Sequence, residues 1–315
     1  MPELNPQMAE ILALVAEAMK DRPERTTLSA VEARAQTSAT FEAFWNADRP
    51  TLWAVYNHEL PGPRGPLRVR LYDPGVARPA SCLVYIHGGG WVICSLDTHD
   101  GLCRRLAQAG GFLVASVDYG LAPEHKFPAG LDDCVAAVRW LAQSGARWGI
   151  DPARLAVGGD SAGANLALAT LLRLRDAGES PLRAGLLIYG AYAAEIEGAS
   201  QAAFGDGSYI LSSADMAWFW KHYLRAEADR RNALAAPLQA DLEHLPPLLV
   251  TAAEFDPLLD DSTQLVARLE AAAVPHRYVL WAGVTHACLH MTRMLDVAQD
   301  HIEDMAAWIR AQLSA

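Results

Sequence analysis

LAVGGDSAGANLALATLL, residues 155–172, changes character at its middle. Leu155 to Val157 read as the end of a buried strand, and from Ala162 onward apolar residues recur at helical spacing. Ser161 therefore lies in the bend, with Gly159 two residues before it and Gly163 two after. A strand that turns at once into a helix forces its turning residue into strain, and neighbours without side chains let the two elements approach. G-x-S-x-G in that setting is a nucleophile elbow, which exposes the hydroxyl above a sheet and aims a helix amino terminus at it. A phosphate loop would want a Lys after the last glycine, and a dinucleotide loop would want G-x-G-x-x-G near the first strand; neither is present.

The rest of the chain has the matching rhythm. Two helix-like stretches, near 6–20 and 27–46, come first, then TLWAVYNHEL and LRVRLYD separated by the turn-rich PGPRGP, a hairpin-like pair. From there strand-like CLVYI, FLVASVDY, RLAVG, AGLLIYG, PLLVTAAE and HRYVLW alternate with helix-like segments. Each parallel crossover needs a helix-length return, so the alternation predicts a doubly wound α/β fold, a mostly parallel central sheet flanked by helices. The long interval between AGLLIYG and PLLVTAAE, with the aromatic SSADMAWFWKHYL inside it, breaks the alternation as a lid or insertion would. The expected organisation is cap helices over residues 1–50, a core in two parts over 51–191 and 237–315, and a cap insertion over 192–236.

Composition narrows the partners. Of 315 residues 51% are apolar, enough for a large core, and the net charge of −11 argues against nucleic acid and acidic membrane surfaces, which demand clustered Lys and Arg. Cys82, Cys94, Cys103, Cys134 and Cys288 are odd in number and form no CxxC pair, which predicts reduced core thiols in a reducing compartment. MPELNPQMAEILALVAEAMK lacks the basic region and cleavage site of a signal peptide and is too interrupted to span a bilayer. The expectation is a cytoplasmic, soluble protein without a stable membrane anchor.

A serine hydroxyl needs a base to take its proton and an acid to orient that base. His286 follows the strand HRYVLW through the Gly-containing AGVTH, whereas His222 falls in the insertion, His276 begins a strand and His301 sits in the last helix. His290 is the nearest competitor; HACLH is an i, i+4 pair, but the glutamate of H-E-x-x-H is missing and no third ligand is evident, so no metal is expected. For the acid, Asp256 comes just past PLLVTAAE, with Glu254, Asp260 and Asp261 as alternatives; the last two serve equally well as helix caps. Oxyanion donors are expected from IHGGGW, residues 86–91, where Gly88 and Gly89 join the amide of Ala162.

Taken together, HGGGWVICSLDTHD, DYGLAPEHKFPAGLDD, GGDSAGAN, and AEFDPLLDD with GVTH resemble the bacterial branch of the hormone-sensitive-lipase-like esterases, α/β hydrolases with a helical cap. MAWFWKHYL resembles that family's cap helix. The resemblance implies Ser161 as nucleophile, Asp256 as acid and His286 as base, with Gly88, Gly89 and Ala162 as the oxyanion hole, Asp160 in support and no cofactor. It implies a serine carboxylesterase acting on short- to medium-chain acyl esters of small molecules. Two positions depart from the family pattern: Gly120 stands where arginine is usual, so an ionic contact must be absent or replaced, and Cys94 stands where glycine is common. Trp91, Tyr192 and Trp218, with Phe219, Trp220 and Tyr223 and with Phe41, Phe44 or Trp45, are candidates for an apolar substrate wall, against plain packing. An amidase such as an aryl formamidase is the rival enzyme, a small-molecule receptor the rival outside catalysis, and a homodimer through the HRYVLW edge is plausible.

Overall fold

The computed structural model describes residues 3–314. Two helices lead the chain. Asn5 caps α1 (Pro6–Met19) by accepting from Gln7 N–H, and Ser29 opens α2 (Ala30–Thr40) with a reciprocal capping box to Glu32. The helical turn continues as a π-turn through Trp45.

Eight strands follow: β1 (Ala54–Gly62), β2 (Gly65–Asp73), β3 (Ala80–Ile86), β4 (Leu113–Val117), β5 (Ile150–Asp160), β6 (Leu182–Ile188), β7 (Leu248–Phe255) and β8 (His276–Thr285). They form one sheet in the order β1-β2-β4-β3-β5-β6-β7-β8. The β1–β2 hairpin is antiparallel and lies antiparallel on β4; every pair from β4 to β8 is parallel. Alternation along β3 explains the layers: Cys82, Val84 and Ile86 belong to the core on one face, Leu83 and Tyr85 to the core on the other. Helix α3 (Asp100–Gly110) covers the Tyr85 face, whereas α4 (Ala129–Ser144) and α5 (Ala162–Asp176) cover the Ile86 face. Between β6 and β7 come α6 (Ala199–Phe204) and α7 (Ser213–Tyr223); then α8 (Leu259–Ala271) joins α4 and α5, and α9 (Asp296–Ser314) joins α3.

The stretch between β6 and β7, which contains residues 192–236, carries α6 and α7 within one crossover. It lies at the carboxyl ends of the strands beside the leading helices, where α/β sheets place their ligands. Arg25 spans the two segments, pairing with Asp215 of α7 at 2.9 Å and lying over the Phe219 ring, 5.4 Å from its centroid. All five cysteines are buried and unpaired. Among the described residues no helix is long and apolar enough to cross a membrane.

Candidate active site

Strand β5 and helix α5 meet at Ser161, whose φ of 56° and ψ of −120° lie outside the regions that L-residues ordinarily occupy. Crowding explains the flanking glycines. A Cβ on Gly159 would stand 2.3 Å, and one on Gly163 2.0 Å, from the carbonyl oxygen of Ile86 at the end of β3. The bend is held by Ser161 N–H donating to Ile188 O of β6, 2.8 Å away.

Asp256, directly after β7, is wholly buried, and His286 directly follows β8. His286 Nδ1 lies 2.7 Å from Asp256 Oδ2, and Nε2 lies 2.9 Å from Ser161 Oγ. The other Asp256 oxygen accepts from Leu258 N–H at 2.8 Å. A carboxylate at Nδ1 selects the tautomer that carries its proton there, so the Nε2 lone pair faces the serine hydroxyl. The alternative acids are occupied elsewhere. Glu254 accepts from Gly283 N–H at 2.8 Å, Asp260 from Ser200 N–H at 2.9 Å, and Asp261 from the N–H groups of Tyr192 and Ala193 at 2.6 and 2.8 Å. Asp260 and Asp261 therefore reach across to the inserted segment instead of capping α8.

The oxyanion loop corrects one expectation. Gly88 N–H donates to Asp160 Oδ1 at 3.1 Å, so it is spent before any substrate arrives. Gly89 and Gly90, both at positive φ (107° and 56°), border the cavity at Ser161 instead. Among the described residues, neither their N–H groups nor that of Ala162 donates to a protein acceptor. Gly90 takes the place expected for Gly88.

Asp160 anchors this loop from beneath. Its Oδ1 also accepts from Tyr85 O–H at 2.7 Å, and His99 Nε2 stands 3.2 Å from it. Burial opposes ionisation, yet His99 and His290 hold the carboxyl well below the usual carboxylate range. His290 sits on a short 3-10 turn, with Nε2 3.9 Å from Asp160 Oδ2. The HACLH pair does not converge on one point: His286 serves Ser161 and His290 faces Asp160. The donor atoms of His99, Asp160 and His290 do lie within 4.8 Å of one another, close enough to hold a metal ion, but Tyr85 and Gly88 already occupy one carboxylate oxygen.

A cavity of about 390 Å³ opens above Ser161 and His286. Leu12, Val15 and Met19 of α1 and Phe41 and Trp45 form one wall; Ile210, Leu211 and Phe219 form the other. Trp91, Trp218 and Tyr192 are not among the lining residues, which corrects their expected role. Trp91 is stacked on Tyr223, ring centroids 4.3 Å apart, and tilted against Trp220; Trp218 packs on Phe219 and His222; Tyr192, at the start of the inserted segment, is fully buried. Phe44, Trp220 and Tyr223 also stay out of the lining, so packing claims most of the aromatics. The α1 residues went unpredicted, although their i, i+3, i+7 spacing was visible as an apolar stripe.

The structure accounts for the first departure from the family pattern and locates the second. Above Gly120, Arg64 of the β1–β2 turn pairs with buried Asp133, which also accepts from Gly120 N–H at 2.8 Å. A Cβ at residue 120 would come within 2.7 Å of that guanidinium, so a neighbouring segment supplies the cation that residue 120 lacks. Cys94, at φ 70°, lines the cavity against the oxyanion loop, and burial pushes its thiol up to about 12.

Comparison with known proteins agrees with this geometry. Residues 83–290 match the model of a family described by the alpha/beta hydrolase fold. An acetyl esterase of Salmonella agona (strain SL483) is 36% identical over 289 residues, covering 90% of this chain and 88% of that protein. The hyperthermophilic esterase of the archaeon Pyrobaculum calidifontis superposes with a TM-score of 0.95 at 36% identity over 100% of both chains. A thermostable carboxylesterase cloned from a metagenomic library gives 0.88 at 35% identity, covering 91% of this chain and 98% of that one. An elbow serine faced by a histidine–aspartate pair, on a sheet of this order, thus places the chain in the α/β-hydrolase-fold family.

Proposed function

We propose that this protein is a cytoplasmic serine carboxylesterase acting on short- to medium-chain acyl esters, with Ser161 as nucleophile, His286 as base and Asp256 as the acid that orients it. The carrying observation is the unbroken relay from Asp256 Oδ2 through His286 to Ser161 Oγ, at 2.7 and 2.9 Å, on the floor of a largely apolar cavity. His286 Nε2 takes the hydroxyl proton as Oγ attacks the ester carbonyl. The oxyanion forms among the amides of Gly89, Gly90 and Ala162, where preorganised donors stabilise it. On collapse the C–O bond to the alcohol breaks and His286 returns the proton to the leaving oxygen. Water, deprotonated by the same nitrogen, then attacks the acyl carbon; the C–Oγ bond breaks as His286 returns that proton to Oγ, which releases the acid and restores Ser161. No redox or metal step enters this sequence.

The acyl range follows from the walls. A cavity running from Ser161 to Leu12 and Met19 of α1 has more room than an acetyl group fills. Five buried thiols support a reducing compartment. A homodimer through β8 is part of the same reading, supported by its place at the sheet edge and by Leu280, exposed there.

The test is a panel of p-nitrophenyl esters from acetate to dodecanoate, run on the parent and on Ser161→Ala. Turnover should peak below the longest chain and fall by about 10⁴-fold or more in the variant. A variant within tenfold of the parent would remove Ser161 from the mechanism.

A further inference from the structure

One side-chain amide ties the helix that carries the nucleophile to both ends of the inserted segment. Asn165, in the first turn of α5 and four residues after Ser161, is fully buried. Its Nδ2 donates to Ala191 O and to Ala235 O, each at 2.8 Å. These two carbonyls bracket residues 192–234, the stretch that delivers Ile210, Leu211 and Phe219 to the cavity wall. Two acceptors that converge on one nitrogen need two protons there, and a primary amide supplies them without a charge. Among the described residues no donor reaches the Oδ1 of the same amide; its two protein contacts are both made by the nitrogen. Asparagine is a poor helix former, and its place amid Ala, Gly and Leu is explained by this contact.

Other bonds gather at the same point. Leu238 N–H donates to Tyr192 O at 3.1 Å, joining the two stems directly, and Asp261 holds the first stem through Tyr192 and Ala193. Among the described residues, Asn165 is the side chain whose hydrogen bonds tie both stems to the element that begins at the nucleophile. Asp256 and His286 are placed by β7 and β8 and do not depend on it.

We infer that Asn165 is a positioning residue for substrate selection: by fixing both stems of the insertion to the first turn of α5, it sets the distance of the Ile210–Phe219 wall from Ser161 and so the acyl length that is accepted. This rests on the esterase reading above. Loosening the stems moves the wall that holds a long acyl chain, while an acetyl group, confined to the floor, scarcely meets it.

Asn165→Ala leaves both buried carbonyls without a donor, and Asn165→Ser keeps a single proton for one of them. For parent and variants, kcat and KM are measured separately with p-nitrophenyl acetate and p-nitrophenyl octanoate, alongside the rate of fluorophosphonate labelling of Ser161 and the thermal midpoint. For Asn165→Ala the octanoate KM should rise about tenfold, the scale of a buried acceptor left unpaired, while acetate kcat and the labelling rate stay within about threefold. Asn165→Ser should fall between the two. Should Asn165→Ala prove too unstable to assay, the Asn165→Ser ratio of octanoate to acetate kcat/KM decides alone: a shift against the octanoate supports the role, and the parent's ratio overturns it. Equal loss on both substrates with slowed labelling also overturns it, because the amide would then serve the fold or the serine and not the wall. A parent without ester turnover would instead remove the esterase reading, a result distinct from an unchanged ratio.

Discussion

The floor of the cavity and its walls are held together by different means. On the floor, backbone meets backbone around Ser161, where the flanking glycines lie so close to Ile86 O that a single methyl group has no room, and one buried side chain, that of Asp160, fixes the Gly88 amide from below. The walls come from two distant stretches, the leading helices and residues 192–236, and side chains join them. Arg25 reaches Asp215, and Arg34 of α2 grips Val92 O and Ala122 O, each at 2.7 Å. A backbone-defined floor fixes the reaction and admits no change of volume. A side-chain-defined wall can be re-lined residue by residue, which is how one chemistry serves many esters.

The largest effect expected from this contrast is on the floor. Gly89 sits at φ 107°, and a Cβ there would stand 2.3 Å from Ile93 O. Gly89→Ala must shift the loop and withdraw an oxyanion donor, so kcat should fall about 10²- to 10³-fold with KM little changed. Trp218→Ala, which thins the packing behind the wall, should lower the thermal midpoint and leave acetate kcat within about threefold of the parent. Steady-state kinetics on the two variants decides the matter; a Gly89→Ala enzyme with near-parental kcat would mean that the loop amides do not stabilise the reaction.

The same contrast explains what could be read in the sequence. Strand–helix alternation and G-x-S-x-G identify the sheet, the elbow and the order of the relay, because each rests on local pattern. Which amide of Gly88-Gly89-Gly90 faces the serine does not, for it is decided by Asp160, brought in from β5 and held there by Tyr85 of β3. Aromatic bulk was likewise ambiguous. Phe41, Trp45 and Phe219 line the cavity, whereas Trp91, Trp218 and Tyr192 pack behind it, and nothing in residue type separates the two groups. Side-chain partners across the sheet, such as Arg64 reaching Asp133, carry no short-range signal at all.

That ionic contact provides a test of intermediate size. Asp133 is almost fully buried while Arg64 is about one-third exposed, its side chain at 34%. Breaking a fully buried pair costs roughly 3–5 kcal/mol, and exposure of the arginine reduces this to about 1–2 kcal/mol for Arg64→Ala in chemical denaturation, with kcat unchanged. Returning a cation from the other side, as Arg64→Ala with Gly120→Arg, should recover part of the loss, since the nearest atom that a residue-120 side chain would strike is then gone and only His125, 3.0 Å from that Cβ, has to give. Gly120→Arg alone should destabilise. If the double variant is no better than Arg64→Ala, the two positions do not exchange one role.

The gentlest probe is electrostatic and lies where wall meets floor. Burial raises the Asp261 carboxyl to about 7, against the opposing pull of the Ala193 and Tyr192 amides it accepts from. An ordinary aspartate titrates near 3.9, so the folded protein binds this proton more tightly than the unfolded chain does. The stability it contributes is therefore complete below about pH 4 and is lost as pH rises through about 7. Asp261→Asn keeps an oxygen for the two amides and removes the titration. Relative to the parent, its thermal midpoint should improve steadily from pH 4 to pH 8, with turnover of acetate unaltered because the relay through Asp256 is untouched. Parallel midpoint curves for the two proteins would mean that Asp261 carries no such proton, and that the stem of the insertion is held by a charge at every pH in that range.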